Sequence, residues 1–281
     1  MLRSTCKLLC AVACLLVADV LALSPGWAQT PEDLHRCAGK GNVAPSLRVS
    51  ACTEIIESGI FSGKTLGAVY NNRGLSYQMN RDYARSIPDF NEAIRLNPSD
   101  ENAFFNRARS YHLQEDYDHA LADYDTAIAL DPKDAGAYMN RANVHSAKGD
   151  YERAIGDYGE AIRIRPDDAR AFYNRCDELL EIGKAEAALA DCNEALRLRP
   201  DYGPAFLLRA NAHFALAQFQ EAGADYDAVL SQNPKDGWAL YGRGMAKTKT
   251  GDAAGGAADI KAAKALSADI EQDFADYFGL K

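Results

Sequence analysis

Residues 135–168 read AGAYMNRANVHSAKGDYERAIGDYGEAIRIRPDD, and this stretch decides the fold. Apolar side chains recur at helical spacing from Ala135 to Ala147, break at Lys148-Gly149-Asp150, and resume until Pro166. Such spacing gathers apolar groups on one face of a helix, and a Gly-Asp break ends one helix and opens the next. The segment is therefore predicted to be a helical hairpin. Pro166 closes its second helix, because proline has no backbone N–H to donate and disfavours helix in the residue before it.

The hairpin recurs along the chain. Pro98, Pro132, Pro166, Pro200 and Pro234 fall 34 residues apart, a fixed period that marks a repeat architecture. Six units follow: 67–100, 101–134, 135–168, 169–202, 203–236 and 237–270, the last the least regular. Position 8 of the units holds Gly74, Ala108, Ala142, Cys176, Ala210 and Gly244; position 20 holds Ser86, Ala120, Ala154, Ala188, Ala222 and Gly256. These small residues let the paired helices approach closely. Large ones fill the remaining space, notably Tyr70, Tyr77, Tyr83 and Phe90 in the first unit and Phe104, Tyr111, Tyr117 and Tyr124 in the second.

This order of aromatic, Gly or Ala, Tyr, Ala, aromatic, Ala and Pro over 34 residues resembles the tetratricopeptide repeat family. The resemblance covers 67–270. The fourth unit departs from the pattern at Ala185 and Cys192, and the sixth at Lys247, Ala253, Ile260 and Ala268. The resemblance implies an all-α fold, a right-handed α-solenoid superhelix of helical hairpins with capping helices, in which the first helix of each unit lines a concave groove. Residues 29–66 read as a degenerate N-terminal hairpin that caps one end. A final helix from Ala268 to Gly279, whose tail is 271–281, carries Ile270, Phe274, Tyr277 and Phe278 and is expected to cover the other.

Ahead of the repeats, Arg3 and Lys7 precede an apolar run from Leu8 to Ala18, and Gly26-Trp27-Ala28 offers small residues at a cleavage site. Residues 1–28 read as a signal peptide cut after Ala28. The alternatives are an uncleaved anchor, against which Asp19 interrupts the run short of the roughly 20 residues needed to span a bilayer, and a lipid-modified Cys14. The mature chain is thus expected to be periplasmic or secreted, with no integral membrane segment. Cleavage removes Cys6, Cys10 and Cys14 and leaves Cys37, Cys52, Cys176 and Cys192. Pivoting the fourth hairpin about its turn sets Cys176 opposite Cys192, and Cys37 and Cys52 have nearly the same spacing, so two local disulfides are expected in an exported chain. The alternative for each pair is two buried free thiols.

Position 7 is Arg in every unit (Arg73, Arg107, Arg141, Arg175, Arg209, Arg243) and position 23 is Asp in every unit (Asp89, Asp123, Asp157, Asp191, Asp225, Asp259). Opposite charges recurring at two phases of one repeat predict a ladder of ion pairs between helices. With a net charge of -9 and no basic stripe, a nucleic-acid surface is not expected. Gly59 to Thr65 falls one residue short of a phosphate-binding loop and follows a helix rather than a strand, so no nucleotide is expected. His35, His112, His119, His145 and His213 lack metal-ligand spacing, and no nucleophile stands beside a base. The sequence thus points to no enzyme, no metal and no cofactor.

Position 6 carries Asn72, Asn106, Asn140 and Asn174 in four successive units, then Leu208 and Gly242. The family resemblance places this phase on the concave face, where an amide offers a donor and an acceptor to any peptide group. Beside it Phe105, Met139, Tyr173, Leu207 and Tyr241 form an apolar stripe. The halt at Leu208 and Gly242 is taken as a sign of a site confined to some units, against the alternative that the asparagines bond only to neighbouring helices or to water. The functional expectation is a scaffold that holds a protein or extended peptide in its groove. The alternative is a structural or assembly subunit of a cell-envelope complex.

Overall fold

A computed structural model describes residues 31–279, all of whose regular elements are helices. The signal-peptide reading of 1–28 lies outside the described residues. The chain divides into two compact units, residues 31–107 and 108–279 of the described chain.

The first unit holds α1 (Pro31–Cys37), α2 (Pro45–Glu57), α3 (Gly63–Met79) and α4 (Tyr83–Leu96), and the division falls within α5 (Glu101–Leu113). The Sγ atoms of Cys37 and Cys52 are 2.08 Å apart, the separation of a covalent disulfide that ties α1 to α2. Both cysteines are buried with Ala51, Ile55 and Val69, and through Val69 the α1–α2 hairpin packs on α3. Helix α4 runs through Pro88, although proline interrupts the hydrogen-bond ladder of a helix.

The second unit continues with α6 (Tyr117–Leu130), α7 (Ala135–Ala147), α8 (Tyr151–Ile164), α9 (Ala169–Glu181), α10 (Ala185–Leu198), α11 (Gly203–Ala215), α12 (Phe219–Gln232), α13 (Gly237–Thr250), α14 (Ala253–Leu266) and α15 (Ile270–Tyr277). From α7 to α14 consecutive helices pair, as an all-α solenoid of hairpins requires. Ala142, Ala154, Ala188, Ala210 and Ala222, at positions 8 and 20, have no exposed surface, so each lets a neighbouring helix close in. The Sγ atoms of Cys176 and Cys192 are 2.12 Å apart, joining α9 to α10.

Two local devices shape the hairpins. Aspartates standing just before helices accept from backbone N–H groups that have no partner in the first turn: Asp82 from Arg85, Asp134 from Gly136, Asp168 from Arg170, Asp236 from Ala239 and Asp252 from Gly255. At each tight turn the residue at position 15 has a left-handed backbone: Arg81, Glu115, Gly149, Gly183, Ala217 and Gly251. Glycine adopts that conformation at little cost, whereas Arg81, Glu115 and Ala217 hold it against their own Cβ.

The charged ladder joins the two helices of a hairpin. Arg73 grips Asp89 with two guanidinium nitrogens at 2.8 and 2.8 Å, and Arg141 with Asp157, Arg175 with Asp191, Arg209 with Asp225, and Arg243 with Asp259 repeat the arrangement between 2.6 and 2.8 Å. A third nitrogen reaches back to position 25 of the preceding hairpin: Arg107 to Asn91, Arg141 to Asp125, Arg209 to Asn193 and Arg243 to Asp227. At Arg175 that place belongs to Gly159, which has no side chain to accept. Arg73, Arg141, Arg175, Arg209 and Arg243 thus splice their hairpins internally, and Arg107, Arg141, Arg209 and Arg243 tie theirs to the preceding one. Removing one partner from so enclosed a pair would leave the other's charge without its counterion.

Candidate functional site

The asparagines of position 6 behave differently in the two units. In the first, Asn106 is buried, its Nδ2 donates to Asn71 Oδ1 at 3.1 Å, and its backbone carbonyl accepts from Gln78 Nε2 at 2.8 Å. That amide is engaged within the fold. Asn72 and Phe105 are partly buried, and the backbone carbonyl of Asn72 accepts from the Ser76 hydroxyl.

In the second unit, Met139, Asn140, Tyr173, Asn174 and Leu207 are all partly exposed, on the first helices α7, α9 and α11. Asn140 Nδ2 donates to the Gly136 carbonyl one turn back at 2.8 Å, and Asn174 Nδ2 lies 3.5 Å from Asn143 Oδ1. Both amides therefore spend donors internally. Among the described residues nothing donates to their Oδ1 atoms, which remain free to accept. Tyr173 leans on Tyr202 with ring centroids 5.0 Å apart, and burial raises both phenols above their ordinary range.

Tyr241 does not join this stripe. It is only 5% exposed and lies beneath Phe274 of α15, ring centroids 5.0 Å apart. The end of the amide ladder also has a packing cause. A Cβ on Gly242 would stand 2.3 Å from Cζ of Tyr226, so only glycine fits, and Leu208 is buried with Cys176, Leu179 and Ala212. The halt at these two positions follows from packing in the core.

Position 9, which the sequence reading passed over, organises this face. Asn143 Oδ1 accepts from the Tyr158 hydroxyl at 2.6 Å, and Asn211 Oδ1 accepts from the Tyr226 hydroxyl at 2.9 Å and from Trp238 Nε1 at 3.1 Å. The signal was present in the repeats: position 9 is polar where position 24 is Tyr (Arg109 with Tyr124, Asn143 with Tyr158, Asn211 with Tyr226) and apolar where it is not (Leu75 with Phe90, Met245 with Ile260). Asp177 breaks the rule opposite Cys192. Burial raises its carboxyl above the ordinary value, with Glu181 one turn on adding to the effect.

A cavity of about 550 Å³ opens between Leu180, Phe214, Phe219, Met245 and Phe278, with Lys249 on its lining. Its walls are apolar, of a size that takes a side chain or a small ligand. Among the described residues no three His, Cys, Asp or Glu side chains converge as metal ligands, and no helix is long and apolar enough to cross a membrane.

Family models for the tetratricopeptide repeat match residues 67–100, 135–168 and 169–202, and one for the TPR repeat matches 108–149. No curated protein sequence matches the chain. Among solved structures, YrrB, described as a TPR protein with an unusual peptide-binding site, is 23% identical, covers 66% of this chain and 97% of its own, and superposes with a TM-score of 0.60. PilF of Pseudomonas aeruginosa is 20% identical over 75% of this chain and 96% of its own (TM-score 0.63). PilW, described as a widely conserved type IV pilus biogenesis factor, is 17% identical over 74% and 98% (TM-score 0.61). At these identities the likeness carries the fold alone.

Proposed function

The chain is a tetratricopeptide repeat protein, a scaffold for protein–protein contacts, and from that premise we propose that the first-helix face of its second unit binds an extended segment of another polypeptide. The observation that carries this reading is the pair of acceptors, Asn140 Oδ1 and Asn174 Oδ1, standing beside Met139, Tyr173 and Leu207. An extended peptide presents backbone N–H groups and alternating side chains. The amide oxygens would accept the former and the apolar stripe would cover the latter. Each Nδ2 commits one of its two N–H groups within the fold whereas Oδ1 commits neither lone pair, so the face favours peptide donors. YrrB, a protein of the same fold whose peptide-binding site gives it its description, lends support by likeness.

The proposed role is binding without catalysis, in a periplasmic or secreted protein. Two cysteine pairs at disulfide distance support that location, since such bonds persist in oxidising compartments. The test is Asn140→Ala with Asn174→Ala, followed by capture of the native partner and thermal melting. The expected result is capture reduced at least tenfold in a protein that still melts cooperatively. Unchanged capture by the folded double variant would remove the amides from the mechanism and favour an assembly role through the opposite face.

A further inference from the structure

Helix α15 lies against the binding face and does not continue the order of hairpins. A seventh first helix would pack mainly beside α14. Instead Phe274, fully buried, meets Phe214 of α11 at 5.1 Å and Trp238 and Tyr241 of α13 at 5.1 and 5.0 Å. Phe278 reaches Phe214 at 4.8 Å and Tyr277 reaches Trp238 at 5.3 Å. Phe214, Trp238 and Tyr241 stand at positions 12, 2 and 5 of first helices, so α15 lies mainly across α11 and α13 and meets α14 less, through the Glu271–Lys264 pair. Burial, reinforced by the carboxylates of Asp177 and Glu181 on α9, holds the Tyr277 phenol well above its ordinary range.

The helix has the composition of a ligand. Ile270 and Phe274 point inward one turn apart with Tyr277 and Phe278 following, while Glu271, Asp273 and Asp276 are exposed. Eight residues are too few to hold a helix in water without tertiary contacts. No side-chain cap opens it, and its one ion pair among the described residues, Glu271 with Lys264, is on the surface. The cavity beside Phe278 shows that the helix fills the surface incompletely, and Lys249 on that lining has no carboxylate within ion-pair distance among the described residues.

We propose that the face formed by α11 and α13 is a docking groove for a short acidic amphipathic helix with aromatic anchors, and that α15 is its intramolecular occupant. This rests on the reading of the first-helix face as the binding face, and it adds a second ligand class and a form of regulation. A partner segment of the same chemistry must displace α15. A tethered competitor acts at an effective concentration on the order of millimolar, so only a tight or locally concentrated partner succeeds.

The probe is a fluorescein-labelled synthetic peptide of residues 268–279, followed by anisotropy against the full chain. The double variant Phe274→Ala with Phe278→Ala, which loosens α15 and leaves every groove residue in place, is expected to bind the peptide at least tenfold more tightly than the unaltered protein. A peptide carrying Phe274→Ala is expected to lose that binding. A helical double variant that ignores the peptide, or binds both peptides equally, overturns the proposal. Hydrogen exchange on the unaltered protein gives an independent reading free of folding defects: α15 amides are expected to exchange at least tenfold faster than those of α13, and equal protection contradicts a displaceable helix. Because the probe is the chain's own sequence, failure here leaves the amide acceptors standing. An inert Asn140→Ala, Asn174→Ala variant would leave α15 standing in turn.

Discussion

Tyr226 occupies the space in which a Cβ on Gly242 would stand, with Cζ 2.3 Å from that point. The ring is held there by its hydroxyl, which donates to Asn211 Oδ1, so it cannot swing aside without leaving a buried polar pair unmade. Gly242→Ala is expected to destabilise the protein by about 1–3 kcal/mol through overpacking. Urea unfolding monitored by circular dichroism checks this, and an unchanged midpoint would show that the ring yields freely.

Position 15 offers a stabilising change. Ala217 holds a left-handed backbone, φ 56°, where the neighbouring hairpins have Gly183 and Gly251. Ala217→Gly is expected to raise stability by up to about 1 kcal/mol, and Gly183→Ala to lower it by about as much, since the backbone is the same and only the Cβ differs. Melting of the two variants side by side tests the pair of signs.

His145 gives the fold a pH dependence. It is 8% exposed, and burial lowers its pKa below the ordinary 6.5, against the opposing field of Asp157. The unfolded chain therefore takes up a proton before the folded one does. Stability present above pH 6.5 is lost as pH falls below it. His145→Tyr, which places there the residue found at the same position as Tyr77 and Tyr111, is expected to flatten the stability profile between pH 7 and 5. An equal slope in both proteins would assign the dependence elsewhere.

The Cys176–Cys192 bond closes a segment with a sequence separation of 16 between buried helices. Replacing both cysteines with Ala is expected to cost about 3 kcal/mol on the chain-entropy account. Denaturant unfolding under non-reducing conditions compares the two proteins, and coincident curves would contradict a covalent bond in the folded chain.

The hairpins were legible because their determinants are local and repeated: Pro at 34-residue spacing, small residues at positions 8 and 20, and Arg and Asp at fixed phases. Both cysteine pairs could be placed for the same reason, since each lies within one hairpin. The site was less legible. Whether Asn106 faces a ligand or bonds to Asn71 depends on a neighbouring hairpin whose position 5 is Asn rather than apolar. Tyr241 sits at a groove phase but is covered by α15, and no repeat period foretells where a non-repeating tail will lie. The link between positions 9 and 24 was written in the sequence, and becomes visible only when two columns of the repeat are compared.

A partner's chain held on the first helices of the second unit lies within reach of a photo-cross-linker placed there. A benzophenone amino acid is placed at Leu207 on α11 or, as the opposing control, at Arg163, an exposed residue of α8. The two proteins are irradiated in the cells that make them. Adducts are expected at Leu207, mapping by mass spectrometry to one short segment of a partner, and none at Arg163. Adducts at Arg163 alone would overturn this placement of the partner.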